Sequence, residues 1–300
     1  MDLLPSRILL ASDGSEDADL AALAATELSG KIGAELHLVH AWRDPAPPVA
    51  TSRVQPALPP GWHEREAQEL LTAQVGRIEE MGGTVAEAHL RNGPAVDEIL
   101  DLGEELGVDL LVTGSRGLGT LGRLVMGSVS DGVAHHATRS VLVLRGGERA
   151  WPPSRIVVGV DLHEESKGAA RFGVELGKLL EVEVHLVLAY PRFPQFSTQR
   201  VAARSEAWTS EEGVRQAEAA LEDFAAELET EKGGALRSRA VVGDAATAIL
   251  EAAEEGSERS LILTGGRDLG QLVRIRLGSV SSDVLRAADG PVLIHKRPAG

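Results

Sequence analysis

The sequence predicts an α/β protein of two tandem domains, each a doubly wound, five-stranded parallel sheet flanked by helices. Three observations predict it. The 300-residue chain repeats itself, its apolar runs alternate with longer helical patterns, and those runs are apolar almost throughout. Arg7 to Trp42 aligns without a gap with Arg155 to Tyr190, placing Asp161 on Asp13 at an offset of 148. Residues 92–100 align with 242–250, and Gly127-Ser128-Val129-Ser130 with Gly278-Ser279-Val280-Ser281. Two copies are too few for a solenoid, so each is expected to be a domain, 1–148 and 149–300. The boundary falls in the turn-rich Gly146-to-Pro153 segment.

In the first copy, strands are expected at 7–12, 34–41, 84–90, 109–113 and 140–144. Runs such as Ile8-Leu9-Leu10 and Val141-Leu142-Val143-Leu144 read as strands buried on both faces. Helical patterns fill 16–31, 62–82, 94–107 and 128–137. Short strands alternating with helices give a parallel sheet with right-handed crossovers. The second copy repeats the strands at 155–160, 182–189, 235–241, 260–264 and 291–296, with a helix over Ser205 to Glu231. Between strand two and the next helix, Arg43 to Gly61 carries six prolines, which forbids a helix interior and leaves a loop that is either an insertion or a flap. Its counterpart, Pro191 to Thr209, holds Phe193, Phe196 and Trp208, placed for burial against a partner or the other domain.

Composition narrows the function. A formal net charge of −15 argues against a nucleic-acid partner. No apolar run approaches the roughly 20 residues that cross a bilayer, and the N-terminus has no basic lead-in of a signal peptide. With no cysteine there is no disulfide framework, thiol nucleophile or Cys-ligated zinc. A cytoplasmic protein is expected.

Ligands of such sheets lie beyond the carboxyl ends of the strands, where strand order reverses. Asp13, Ala41 and a glycine-rich loop after strand four, within Leu110 to Ser130, all fall there. Glycines let backbone N–H groups approach phosphate, and a helix start adds free donors. Gly117-Leu-Gly119-Thr-Leu-Gly122 has the GxGxxG spacing but follows the fourth strand rather than the first, and Gly122 to Ser128 lacks the lysine of a P-loop. The remaining pattern is Gly114, Gly117 three residues on, and Gly127-Ser128 after nine more.

Among nine histidines, adjacent His135 and His136 point to different sides of a helix. His37 and His185 occupy equivalent strand positions as matching core or interface residues. No HExxH or GxSxG motif is present, so neither catalytic residues nor metal ligands are assigned.

The tandem repeat, Ile8-Leu-Leu-Ala-Ser12-Asp13-Gly-Ser15 at the first strand and the loop spacing Gly114-x2-Gly117-x9-Gly127-Ser128 together resemble the universal stress protein family, in its ATP-binding subgroup for the first copy. The resemblance implies a Rossmann-like fold of the adenine-nucleotide alpha hydrolase-like kind, with ATP or another adenine nucleotide across the strand ends, Mg2+ as its companion, and binding rather than catalysis. By the same resemblance Asp13 would meet the adenosine end, with Ser12 beside it. Ala11 and Ala41 would line the adenine slot. Gly114 and Gly117 would wrap the phosphates. Gly127, Ser128, Val129 and Ser130 would supply the binding stretch, its N–H groups and its hydroxyls, with charge added by Arg116 and Arg123. The alternative account of Asp13 is a helix cap or a turn acid before Gly14-Ser15. In the second copy Asp268 replaces the second glycine, which is expected to weaken or abolish ATP binding there. The family also implies an intramolecular pseudo-dimer through strands 140–144 and 291–296, and a homodimer of chains as a further arrangement. The alternatives to a nucleotide-binding stress regulator are a slow ATPase and a tandem scaffold that binds no nucleotide.

Overall fold

The computed structural model describes residues 3–43, 61–116, 126–146, 150–190, 211–233, 236–255, 259–266 and 277–296. The Arg43–Gly61 and Pro191–Thr209 loops, Gly117, Arg123 and Asp268 therefore lie wholly or almost wholly outside the described residues.

The first half runs β1 (Arg7–Ala11), α1 (Glu16–Ile32), β2 (Glu35–Trp42), α2 (Trp62–Glu80), β3 (Glu87–Asn92), α3 (Ala95–Leu106), β4 (Leu110–Gly114), α4 (Ser128–His136) and β5 (Ser140–Leu144). The second runs β6 (Arg155–Val160), α5 (Glu164–Leu180), β7 (Glu183–Tyr190), α6 (Glu211–Lys232), β8 (Leu236–Val242), α7 (Ala245–Glu254), β9 (Ser260–Gly265), α8 (Ser279–Ala287) and β10 (Val292–His295). Each half is a doubly wound parallel sheet of order 3-2-1-4-5. The two join edge to edge into one ten-stranded sheet, β3-β2-β1-β4-β5-β10-β9-β6-β7-β8.

Strand bounds fall within one or two residues of the sequence expectation except at β3, expected at 84–90 and found at Glu87–Asn92. The residues before it close the preceding helix and the turn: Gly83 N donates to Ile78 O, and Ala86 N to Leu36 O. The ladder with β2 then opens at His37↔Glu87. The β-branched Thr84 and Val85 suit a strand but are used in this approach.

The all-apolar runs read as expected. Leu110 to Gly114 and Ser140 to Leu144 are buried at every residue. Alternate side chains enter two cores. Ile8, Leu10, Leu142 and Leu293 face the layer of α1, α2, α5 and α6. Leu9, Val141, Val292 and Ile294 face the layer of α3, α4, α7 and α8. Both layers continue across the junction between halves.

That junction is pseudo-symmetric. β5 and β10 pair antiparallel, with Leu142 opposite Leu293. The residue after each strand then crosses to the other half and caps a helix. Arg145 Nη1 donates to Leu285 O at 3.0 Å and Ala288 O at 2.6 Å, at the end of α8. Lys296 Nζ donates to Ala134 O at 3.0 Å and Ala137 O at 2.6 Å, at the end of α4. Both place a cation at the negative end of a helix dipole. Trp151, in the expected linker, is buried, and its Nε1 donates to Glu27 Oε2 at 2.8 Å. The connection is thus packed onto α1.

Candidate functional site

A cleft of about 460 Å³ opens at the carboxyl ends of β1, β2 and β4, within the usual range of roughly 300–1,000 Å³ for small-molecule sites. It sits where β1 and β4 adjoin and strand order reverses. Ala11, Ser12, Asp13, Ala41, Gly114, Arg116, Gly127, Ser128, Val129 and Ser130 all line it. The fold thus gathers every described residue assigned from sequence; Gly117 lies outside the description.

Their roles differ from simple expectation in several places. Ser12 Oγ donates to Gln74 Oε1 of α2 at 2.9 Å and accepts from Gly14 N. Its hydroxyl therefore ties the end of β1 to α2, as His40 Nδ1 ties β2 to Ser12 O at 2.8 Å. Asp13 Oδ1 accepts from Ser15 N at 3.1 Å, the turn role weighed for it, while the helix cap itself is Ser15, whose Oγ accepts from Ala18 N. The half-buried Asp13 carboxylate still lines the cleft.

Arg116 is held by a carboxylate. Its Nε and Nη2 reach Asp17 Oδ2 and Oδ1, each at 2.9 Å, and Ser115 Oγ donates to the same Oδ2 at 2.7 Å. Asp17 is only 4% exposed. Burial pushes its carboxyl up, but hydrogen bonds from Arg116 and Ser115 and the charges of Arg116 and Arg145 outweigh this and hold it below the ordinary carboxylate value. Arg116, which does line the cleft, is therefore spent first on neutralising a buried acid in the first turn of α1. Sequence reading missed Asp17, which looks like any acid in a first helical turn.

Gly114 has a steric role. A Cβ there would lie 2.6–2.8 Å from the backbone of Asp17 and Ala18, so the glycine lets the start of α1 press against the end of β4. Gly265 does the same against Glu165 and Ser166, at 3.0–3.2 Å. Gly114→Ala is expected to cost about 2 kcal/mol of stability, and Gly265→Ala less. Urea unfolding of the two variants checks the order.

At α4 the expected donors are present with one change. Ser130 Oγ donates to Ser115 O at 2.8 Å and Gly127 O at 3.0 Å, and Gly127 N to Ser115 O at 2.7 Å. Those groups fix the loop to the helix. The N-cap of α4, Gly127, supplies no side-chain cap. Ser128, Val129 and Ser130 form its first turn, whose N–H groups have no acceptor within the helix, and all three line the cleft, the arrangement an anion site uses.

The sequence reading also missed apolar walls. Val39 and Thr113 stand beside Ala41 and Gly114, and Ala95 and Ile99 come from α3. Signals for these existed: Val39 and Ala41 alternate onto one face of β2, and Ala95 and Ile99 are four apart on one helix face.

A second cleft, about 410 Å³, occupies the matching place in the other half and repeats these walls as Val187, Ala189, Ala245 and Ile249. Its charge differs. Glu165, at the position of Asp17, lines it together with Asp161 and His163, and no described cation pairs with Glu165. Asp161 accepts from Ser166 Oγ at 2.6 Å and His163 N at 3.1 Å; burial pushes it up, and these bonds with the nearby His163 bring it below the usual value.

The universal stress protein family model matches the chain twice, over residues 5–145 and 153–296. A universal stress protein of Mycolicibacterium smegmatis is 25% identical over 304 residues, covering 96% of each chain. One of Thermus aquaticus is 36% identical over 143 residues, covering 46% of this chain and 97% of its own. A solved universal stress protein from Archaeoglobus fulgidus shares the fold, with a TM-score of 0.67 at 21% identity over 99% of this chain and 98% of that one. Among the described residues no helix is long and apolar enough to cross a membrane.

Proposed function

The chain belongs to the universal stress protein family, and on that premise we propose that it is a stress-response regulator that binds one ATP, or another adenine nucleotide, in the cleft of its first unit, residues 1–148. The observation that carries this reading is the cleft itself: a slot walled by Ala11, Val39, Ala41 and Ile99 at one side and the uncapped start of α4 at the other. The apolar side suits a purine, Asp13 suits ribose hydroxyls or an exocyclic amine, and the Ser128–Ser130 N–H groups suit phosphate oxygens. Mg2+ prefers phosphate oxygens with few protein ligands, so it enters as the companion of ATP.

The same reasoning makes the second unit, 149–300, a poor ATP site. Asp161 and Glu165 bring two carboxylates to its cleft, and Asp268 adds a third in the loop sequence. In the first unit the residue at the Glu165 position, Asp17, does not line the cleft and is neutralised by Arg116. Arg267, at the position of Arg116, lies outside the described residues. Like charge facing a polyphosphate costs free energy.

Denaturing the purified protein and separating the released nucleotide by chromatography tests this. About one adenine nucleotide per chain is expected, lost in Gly117→Asp. Two per chain would overturn the asymmetry. None, with no binding of added ATP, would favour the scaffold alternative. Phosphate release well above background would favour the slow ATPase.

A further inference from the structure

The geometry points to a divalent-metal site at the opposite end of the first half's sheet, with His37, Glu87 and His89 as ligands and zinc, or a cation of similar borderline character, as the occupant. His37 and Glu87 are register partners across the β2–β3 ladder, and His89 follows two residues on, so all three share one strand face. It is the face that carries Val39 toward α3. One ligand atom from each lies within 4.8 Å of the others.

The distances fit a metal. His37 Nδ1 and His89 Nε2 are 3.3 Å apart. Two nitrogens each bound to zinc at about 2.0–2.1 Å in a tetrahedron stand roughly 3.3–3.4 Å apart. Glu87 Oε2 is 3.9 Å from His89 Nε2, close enough for a rotamer adjustment of this exposed side chain to complete three ligands. A fourth position toward solvent is left for water.

A plain His–His hydrogen bond accounts for the 3.3 Å separation but not for the rest. His37 is 7% exposed, and its Nε2 is buried with no hydrogen-bond partner, a condition that calls for a reason. With metal on Nδ1, the hydrogen must sit on Nε2, and Glu35 Oε2, which also accepts from Arg7 Nε at 2.9 Å, stands 3.9 Å away. A carboxylate behind a ligating histidine is the usual outer-shell arrangement.

The second half serves as an internal control. His185 stands where His37 does and contacts Glu183 at 2.8 Å. Arg237 and Arg239 stand where Glu87 and His89 do, and pair with Glu183 and Glu255. The duplicated surface is closed there by ion pairs, so the ligand set belongs to the first half alone. In that half it clamps the edge strand β3, which is largely exposed, to β2.

The test uses the full chain, stripped with a chelator and free of nucleotide, titrated with zinc chloride by calorimetry and with cobalt(II) by absorption. One zinc per chain is expected, with tetrahedral cobalt bands and a zinc-dependent rise in Tm. Glu35→Gln should weaken zinc by about 10–100-fold, as outer-shell changes do, Glu87→Gln and His89→Ala by at least as much, and His185→Ala not at all. Circular dichroism establishes that each variant folds; Glu87→Gln, at an exposed position, carries the test if His89→Ala does not. No zinc bound at equimolar concentration, or unchanged affinity in Glu87→Gln and His89→Ala, would overturn the site.

Discussion

Arg116→Ala is expected to lower the free energy of unfolding by about 3 kcal/mol at pH 7, the low end of the cost of breaking a buried ion pair from one side. The low end applies because the Arg116 side chain is 28% exposed, whereas that of Asp17 is 5%. The loss comes from what is left behind: a buried carboxylate that keeps the Ser115 hydrogen bond and the charge of Arg145 but loses its paired guanidinium. The pH dependence fixes the sign. In the native protein the Asp17 carboxyl lies below its ordinary value, so its contribution is present above about pH 4 and fades as pH falls through the folded value. Without Arg116, burial dominates and raises the folded value, so stability declines as pH climbs above about 4. The gap between wild type and Arg116→Ala should therefore widen from pH 4 to pH 7 in urea unfolding curves. An equal gap at both would refute the account. Nucleotide binding supplies a second readout: Arg116→Ala should weaken ATP by unmasking Asp17, and adding Asp17→Asn should restore much of it. If Arg116 acted on phosphate directly, the second change would restore nothing.

What the sequence made legible was periodic or repeated. Strands buried on both faces announce themselves as unbroken apolar runs, and the copy at an offset near 150 shows which residues recur at strand ends. That was enough to place Ala11, Asp13, Ala41, Gly114 and the start of α4 around one cleft. The contacts that set charge were not legible, because each joins segments far apart in the chain. Asp17 and Arg116 are 99 residues apart, Lys296 and Ala137 are 159, and His37 and His89 are 52. No local spacing encodes such a meeting; only the strand order does. Gly114 illustrates the same limit at shorter range. Its place in a glycine pattern suggested phosphate wrapping, while its surroundings ask for the close approach of a helix.

Lys296 gives the second large expected effect. It is 6% exposed between the halves, and burial lowers its ammonium from 10.5 to about 8. The carbonyls of Ala134 and Ala137 favour the charged form, yet desolvation outweighs them. A neutral amine keeps two N–H donors for those carbonyls, so deprotonation need not break the cap. Between about pH 8 and 10.5 the unfolded chain holds a proton on this lysine that the folded chain does not, and stability attributable to it therefore rises with pH. At about 1.4 kcal/mol per pKa unit, the full rise is about 3 kcal/mol. Lys296→Met removes the titration and leaves the other alkaline groups in place. The wild-type minus Lys296→Met difference in unfolding free energy should thus climb across that window, and a flat difference would place the lysine in water rather than in the seam. The direction matters for the pseudo-dimer. At neutral pH the seam carries a desolvated cation at a cost, and Arg145, its pseudo-symmetric counterpart, cannot shed its proton at all. The two halves are thus held by apolar β5–β10 pairing, with the buried Lys296 and the part-buried Arg145 each capping a helix of the other half.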